Sequence, residues 1–354
     1  MGKAGRANSV HLSAGAAKFV ESPTAGAAKN VESPTAGASK KVESPTAGAA
    51  KFVDVTREVP RAEAPKGPVR LVLTSPDPTG AELGEAEKLA GHLGIPLVIA
   101  EEPETAGQSK RQPERPTTRH RAWNGENPDD LVLRWTGAAL TLERSGQSIA
   151  CDFSHFARRL RPANLDRELV VRAARIRGVE GPLRVLDGTA GLGEDALLLA
   201  GAGYEITLLE RDPVIFALLR DGLRRAAQSE DPALAAAASR MTAFEADSIL
   251  WMRKLAQSPS AADRPDIIFL DPMFPERRKS GLVKKKFQLI HQLEDPEAND
   301  QALLEAAFAA APRKIVIKRP AKGPFLGGLT PGYALRGKTI RYDCLIPPRG
   351  KGTI

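Results

Sequence analysis

Val185-Leu-Asp-Gly-Thr-Ala-Gly-Leu-Gly-Glu-Asp195 is the stretch on which the fold turns. An apolar strand, Leu183-Arg-Val-Leu-Asp187, runs into a glycine-rich turn and then into a helix predicted over about 194–202. Glycines at Gly188, Gly191 and Gly193 let backbone approach a ligand closely, and the helix start offers unbonded N–H donors. The spacing is G-x-x-G-x-G, not the G-x-G-x-x-G of dinucleotide-binding turns. Asp187, just ahead of the first glycine, would also stand badly beside a pyrophosphate. It suits a cationic ligand with an amino acid moiety, such as S-adenosylmethionine. An ordinary tight strand-to-helix turn is the plainer alternative.

Strands and helices alternate onward from this turn, which implies βαβ units and a parallel sheet. Strands are predicted at 205–210, 241–245, 265–271 and 314–318, with helices over 213–227 and 300–310. The segments 333–336 and 338–346 suit a terminal antiparallel pair.

Chemistry collects where these strands end. Glu210 closes the second strand, where a carboxylate can accept both ribose hydroxyls of a nucleoside cofactor. NAD enzymes share that arrangement, and a surface ion pair with Arg211 would also explain it. Asp247-Ser248 follows the third strand; Asp247 could receive an adenine amino group, cap the next helix, or do both. The fourth strand ends in Asp271-Pro-Met-Phe-Pro275, at the edge where open α/β sheets bind ligands. Methylating an exocyclic amine needs its lone pair freed from ring conjugation. Asp271 and the Pro272 carbonyl, accepting the two N–H groups, would free it, and Phe274 would stack on an extruded base. Methyl transfer is favoured over hydride transfer on that loop.

The formal net charge is +8, which favours polyanionic partners. Six of the eleven residues over 276–286 are basic: Arg277, Arg278, Lys279, Lys284, Lys285 and Lys286. Beside a base-reading loop this run reads as a phosphate grip; elsewhere it would be only a solvated face. Arg158, Arg159, Arg161, Lys318 and Arg319 would extend the RNA-binding surface. Two cysteines, Cys151 and Cys344, exclude a disulfide framework, and five histidines form no metal-ligand pattern, so no metal is expected. No apolar run approaches the length of a membrane span and no secretory signal is apparent, which points to the cytoplasm.

The N-terminal third is organised differently. An eleven-residue unit starts at Ala14 and recurs from Ala25 and Ala36, with a truncated copy from Ala47. Each unit carries Ser-Pro and Gly, which interrupt helices, so 1–65 reads as a disordered tail and not as a supercoiled repeat. Residues 66–155 read as a small α/β subdomain: a β-α-β unit over 69–100, an insertion near 101–128, then hairpins over 131–153. A packing extension and a recognition module are both open readings of it. The remaining 156–354 form the catalytic domain.

Asp187-Gly-Thr-Ala-Gly-Leu-Gly-Glu-Asp195, Leu209-Glu-Arg-Asp-Pro-Val214, Leu219-Arg-Asp-Gly-Leu223, Leu270-Asp-Pro-Met-Phe-Pro275, Leu282-Val-Lys-Lys285 and Val316-Ile-Lys-Arg-Pro320 together resemble the bacterial RsmJ-type 16S rRNA guanine-N2 methyltransferases. The resemblance covers about 69–346 and is strongest after 180. It implies a Rossmann-like class I methyltransferase fold: a mostly parallel seven-stranded sheet with helices on both faces. It also implies S-adenosylmethionine as cofactor, a guanosine of 16S rRNA or the small ribosomal subunit as substrate, and transfer to the 2-amino group. By position, cofactor contacts would fall on Glu194, Asp195, Glu210, Arg211, Asp247, Ser248 and Asp271. The chain departs from the family at Glu194, commonly Arg, and at Asp247, often Ser. Adenine N6 or a protein amide is the rival target, and a non-catalytic RNA- or ribosome-binding protein the rival class.

Overall fold

The structure is a computed structural model, and it describes residues 69–74, 78–100, 130–179, 181–258, 260–272 and 300–348. The repeat tail, the 101–128 insertion and the 276–286 basic run lie outside those residues.

The first described elements are β1 (Val69–Leu73), α1 (Gly80–Leu93) and β2 (Leu97–Ile99), the expected β-α-β unit with its strands parallel. Thr79 and Glu82 form a capping box at the start of α1, which satisfies two otherwise orphaned N–H groups. Three further strands follow: β3 (Leu131–Trp135), β4 (Leu140–Arg144) and β5 (Gln147–Ile149). They join as antiparallel hairpins and give a five-stranded sheet ordered β2-β1-β3-β4-β5. Short helices α2 (Pro162–Leu165) and α3 (Leu169–Ala174) come next. Neither was anticipated, because segments this short display no apolar period.

The second sheet is built from β6 (Arg184–Asp187), α4 (Glu194–Gly201), β7 (Glu205–Glu210), α5 (Pro213–Ala227), α6 (Pro232–Ala238), β8 (Met241–Glu245), α7 (Ser248–Gln257) and β9 (Ile267–Leu270). It is completed by α8 (Asp300–Ala309), β10 (Lys314–Pro320), β11 (Tyr333–Arg336) and β12 (Ile340–Leu345). Its seven strands run β11-β12-β10-β9-β6-β7-β8. All are parallel except β12, which runs antiparallel to β10 and β11. The parallel strands are those expected from the alternation of elements, and the whole is the Rossmann-like arrangement that the family resemblance implied.

Successive strand residues point to opposite faces, and the core divides accordingly. Val185, Ile267 and Val316 pack with residues of α3, α4 and α5 on one face. Leu186, Ile268 and Ile317 pack with α7 and α8 on the other. The first of these cores continues through Cys151, Phe153 and Phe156 into the five-stranded sheet. Gly222 in α5 approaches Cys151 so closely that a Cβ there would fall 2.3 Å from its Sγ. Chain order reverses between β6 and β9, leaving a crevice at the C-terminal ends of these two central strands.

Candidate cofactor and catalytic site

Asp187 is the last residue of β6 and only 2% exposed. Its Oδ1 accepts the Thr189 N–H at 3.0 Å, and Thr189 Oγ1 in turn accepts the Asp271 N–H at 2.6 Å. The glycine turn is thereby tied to the loop leaving β9. Gly191 and Gly193 take left-handed conformations (φ +53° and +72°), and a Cβ on Gly193 would come within 2.9 Å of Leu219 Cδ1. Both features demand glycine. Gly188 packs onto β9, where a Cβ would meet Leu270 Cδ2 at 3.0 Å.

Glu210 ends β7 and is 5% exposed. Its Oε2 accepts the Gly191 N–H at 2.9 Å and its Oε1 the Asp212 N–H at 2.8 Å. These bonds fix the plane of the carboxylate. Asp247 caps α7, accepting the Leu250 N–H at 2.9 Å. Ser248 lies against Gly188, its Cβ 3.5 Å from where a Gly188 Cβ would stand. Glu194 and Arg211 are exposed.

The most concentrated charge was not anticipated as a unit. Lys318 on β10 sits one residue beyond the Ile317–Leu270 pairing with β9, which brings it level with Asp271. Its Nζ lies 2.8 Å from Asp195 Oδ2 and 2.9 Å from Asp271 Oδ2. Tyr342, the cross-strand partner of Lys318 on β12, donates its hydroxyl to Asp195 Oδ1 at 3.3 Å. Pro272 is buried directly after Asp271.

Two residues assigned from sequence to an RNA surface are corrected by this geometry. Lys318 is held between two carboxylates inside the crevice. Arg319, next along the strand, points to the opposite face; it is 3% exposed and its Nε donates to the Pro324 carbonyl at 3.2 Å. Phe274, Arg277, Arg278, Lys279, Lys284, Lys285 and Lys286 lie outside the described residues.

Loss of water pushes the Asp187 carboxyl up to about 8; the Thr189 N–H opposes this, and Asp195 and Asp271 add to it. Asp271 moves the same way against the pull of Lys318, although 39% of its side chain is still accessible. Burial works against the Lys318 ammonium, but Asp271 and Asp195 outweigh it and its pKa is raised. Asp187, Asp195 and Asp271 thus gather around one ammonium, and a cationic ligand entering there would favour the ionised forms that burial disfavours at Asp187 and Asp271. The donor set fits a sulfonium with an amino acid moiety, and Glu210 beside it fits a ribose.

A family model described as "Putative SAM-dependent methyltransferase" matches residues 119–347. The chain belongs to the SAM-dependent methyltransferases. This methyltransferase is 39% identical over 286 residues to Ribosomal RNA small subunit methyltransferase J of Alkalilimnicola ehrlichii, covering 78% of the chain and 94% of that relative. It is 38% identical over 267 residues to the protein of that name from Thioalkalivibrio sulfidiphilus, covering 74% and 92%. A crystal structure of a SAM-dependent methyltransferase from Neisseria gonorrhoeae matches with TM-score 0.53 and 26% identity, over 80% of this chain and 99% of that one.

Sequence reasoning overlooked Thr189 and Tyr342 and misplaced Lys318. The signal for Lys318 was its position at the C-terminal end of a parallel strand, which becomes informative only once β10 is known to lie beside β9.

Proposed function

We propose that this methyltransferase transfers a methyl group from S-adenosylmethionine to the exocyclic N2 amine of a guanosine in 16S rRNA, in the cytoplasm. The observation that carries the reading is Asp271. It stands at the C-terminal end of β9 in the central crevice, its N–H tied to Thr189 and its carboxylate to Lys318. The names of the relatives support small-subunit rRNA as the substrate.

Asp187 and Asp195 would hold the cofactor's amino acid end, with the Gly188, Gly191 and Gly193 turn beneath it. Glu210 would take the ribose hydroxyls, and Asp247 and Ser248 the adenine, with Glu194 and Arg211 flanking. The bound cofactor supplies an electrophilic methyl. Asp271 and the Pro272 carbonyl accept the two N–H groups of the target amine, which frees the nitrogen lone pair for in-line attack. Phe274 would stack on the base. As the N–C bond forms, the sulfur–methyl bond would break with its electron pair returning to sulfur, S-adenosylhomocysteine would be the leaving group, and one N–H proton would pass to Asp271 or to solvent. Cys151 and Cys344 are both buried, the Cys151 thiol donating to the Leu192 carbonyl at 3.3 Å, in keeping with direct transfer.

Incubation with labelled cofactor and unmodified small-subunit rRNA, followed by nucleoside analysis, tests the reading. Labelled N2-methylguanosine is the expected product. N6-methyladenosine, or label in protein alone, would overturn the guanine assignment.

A further inference from the structure

Chain leaving β5 descends through Phe153 and Phe156 to a turn and the short helix α2. There Arg158, Arg159, Asn164, Arg167 and Glu168 line an open cleft of about 390 Å³. Three guanidiniums face one carboxylate. That carboxylate is committed: Glu168 takes a bidentate pair of bonds from Arg159 Nε and Nη2, at 2.7 and 2.8 Å. Arg159 also lies over the Phe156 ring, 5.0 Å from its centroid, so its position is set before any ligand arrives. The backbone is held too, with Asn164 Nδ2 donating to the Arg158 carbonyl at 2.7 Å. Arg158 and Arg167 are exposed, and among the described residues no carboxylate pairs with either. The cleft borders the helix that carries Asp195: a Cβ on Gly201 at its far end would meet Leu160 Cδ2 at 2.6 Å and Leu165 Cδ1 at 3.5 Å, and the Arg159 pKa is raised chiefly by Glu168, with Asp195 adding to it.

We infer that this cleft is a docking site for a backbone phosphate of the RNA substrate, gripped by Arg158 and Arg167 and framed by the fixed Arg159. This rests on the RNA reading above. Planar guanidiniums bind phosphate oxygens bidentately, and an open cleft beside the crevice admits a continuous strand. Docking here holds the strand while the target base reaches Asp271.

Binding of unmodified small-subunit rRNA is measured for the full chain and for the double variant Arg158→Glu/Arg167→Glu, across a salt series. Affinity should fall by roughly 10- to 100-fold near 0.1 M salt, and the slope of log K against log salt should shrink by about 0.7, for one lost phosphate contact on a single strand. KM for RNA should rise with kcat nearly unchanged, because neither arginine touches the reacting atoms. Cofactor affinity should stay at the wild-type value, which also reports an intact fold. Arg158→Gln/Arg167→Gln should give a weaker shift in the same direction. Wild-type affinity and salt slope in the Glu variant would overturn the cleft while leaving rRNA methylation intact. A wild-type chain that neither binds nor methylates the rRNA would remove both readings.

Discussion

The two sheets share one continuous core yet treat charge in opposite ways. In the five-stranded sheet, ionic side chains pair near the surface, as Arg70 does with Asp130 and Arg134 with Glu143. In the seven-stranded sheet, Asp187, Glu210, Asp271 and Lys318 converge at the C-terminal ends of neighbouring strands, and the titration of Asp187, Asp271 and Lys318 is displaced. Parallel strands buried on both faces leave only their ends available for polar work, and carboxylates brought together there lose water and repel one another. Perturbed groups in a crevice mark chemistry; satisfied pairs on a sheet surface mark packing.

The comparison breaks most sharply at Asp271. Asp271→Ala should lower single-turnover methylation by about 10²- to 10⁴-fold, with cofactor affinity changed far less. A variant that methylates at the wild-type rate would place the chemistry elsewhere.

Asp187 tests the burial itself. An ordinary aspartate titrates near 3.8, whereas folded Asp187 titrates near 8. The folded chain therefore holds a proton that the unfolded chain releases, and the cofactor-free protein should lose stability as pH rises from about 4 to about 8. Asp187→Asn should flatten that slope in denaturant melts. It should also weaken cofactor binding by about 10- to 100-fold, through loss of a charge-assisted bond. A melt series with the same slope in both proteins would contradict the assigned shift.

Lys318→Met removes the one ammonium between Asp195 and Asp271. Asp271 then loses the cation that holds its pKa down, so the acid limb of the kcat–pH profile should move to higher pH. An unmoved limb would show that Lys318 has no hold on the catalytic carboxylate. The smallest effect belongs to the other sheet. Arg134→Ala should cost no more than about 1 kcal/mol in a denaturant melt, as partly exposed pairs do, with kcat and both KM values unchanged.

Much of this was legible in the chain. The glycine spacing, Glu210 at a strand end and the Asp-Pro pair after β9 are local signals, and each stands where its local pattern placed it. Alternating apolar runs predicted the parallel sheet and its closing antiparallel pair. Helix α6 was missed because its alanine-rich segment shows no contrast between faces. Arg319 was misread because a charged residue at a strand end looks exposed until its face is known.

The sequence by itself determined which residue types stand at the ends of strands, since period and turn chemistry are properties of a few neighbouring residues. Only the tertiary structure decided which ends meet. It set β9 between β6 and β10 and so gathered Asp187, Asp195, Asp271 and Lys318 around one crevice. It also turned Arg319 inward and brought Arg167 to Arg158 and Arg159. Strand order depends on which apolar faces bury each other across the whole chain, and no local pattern carries that information.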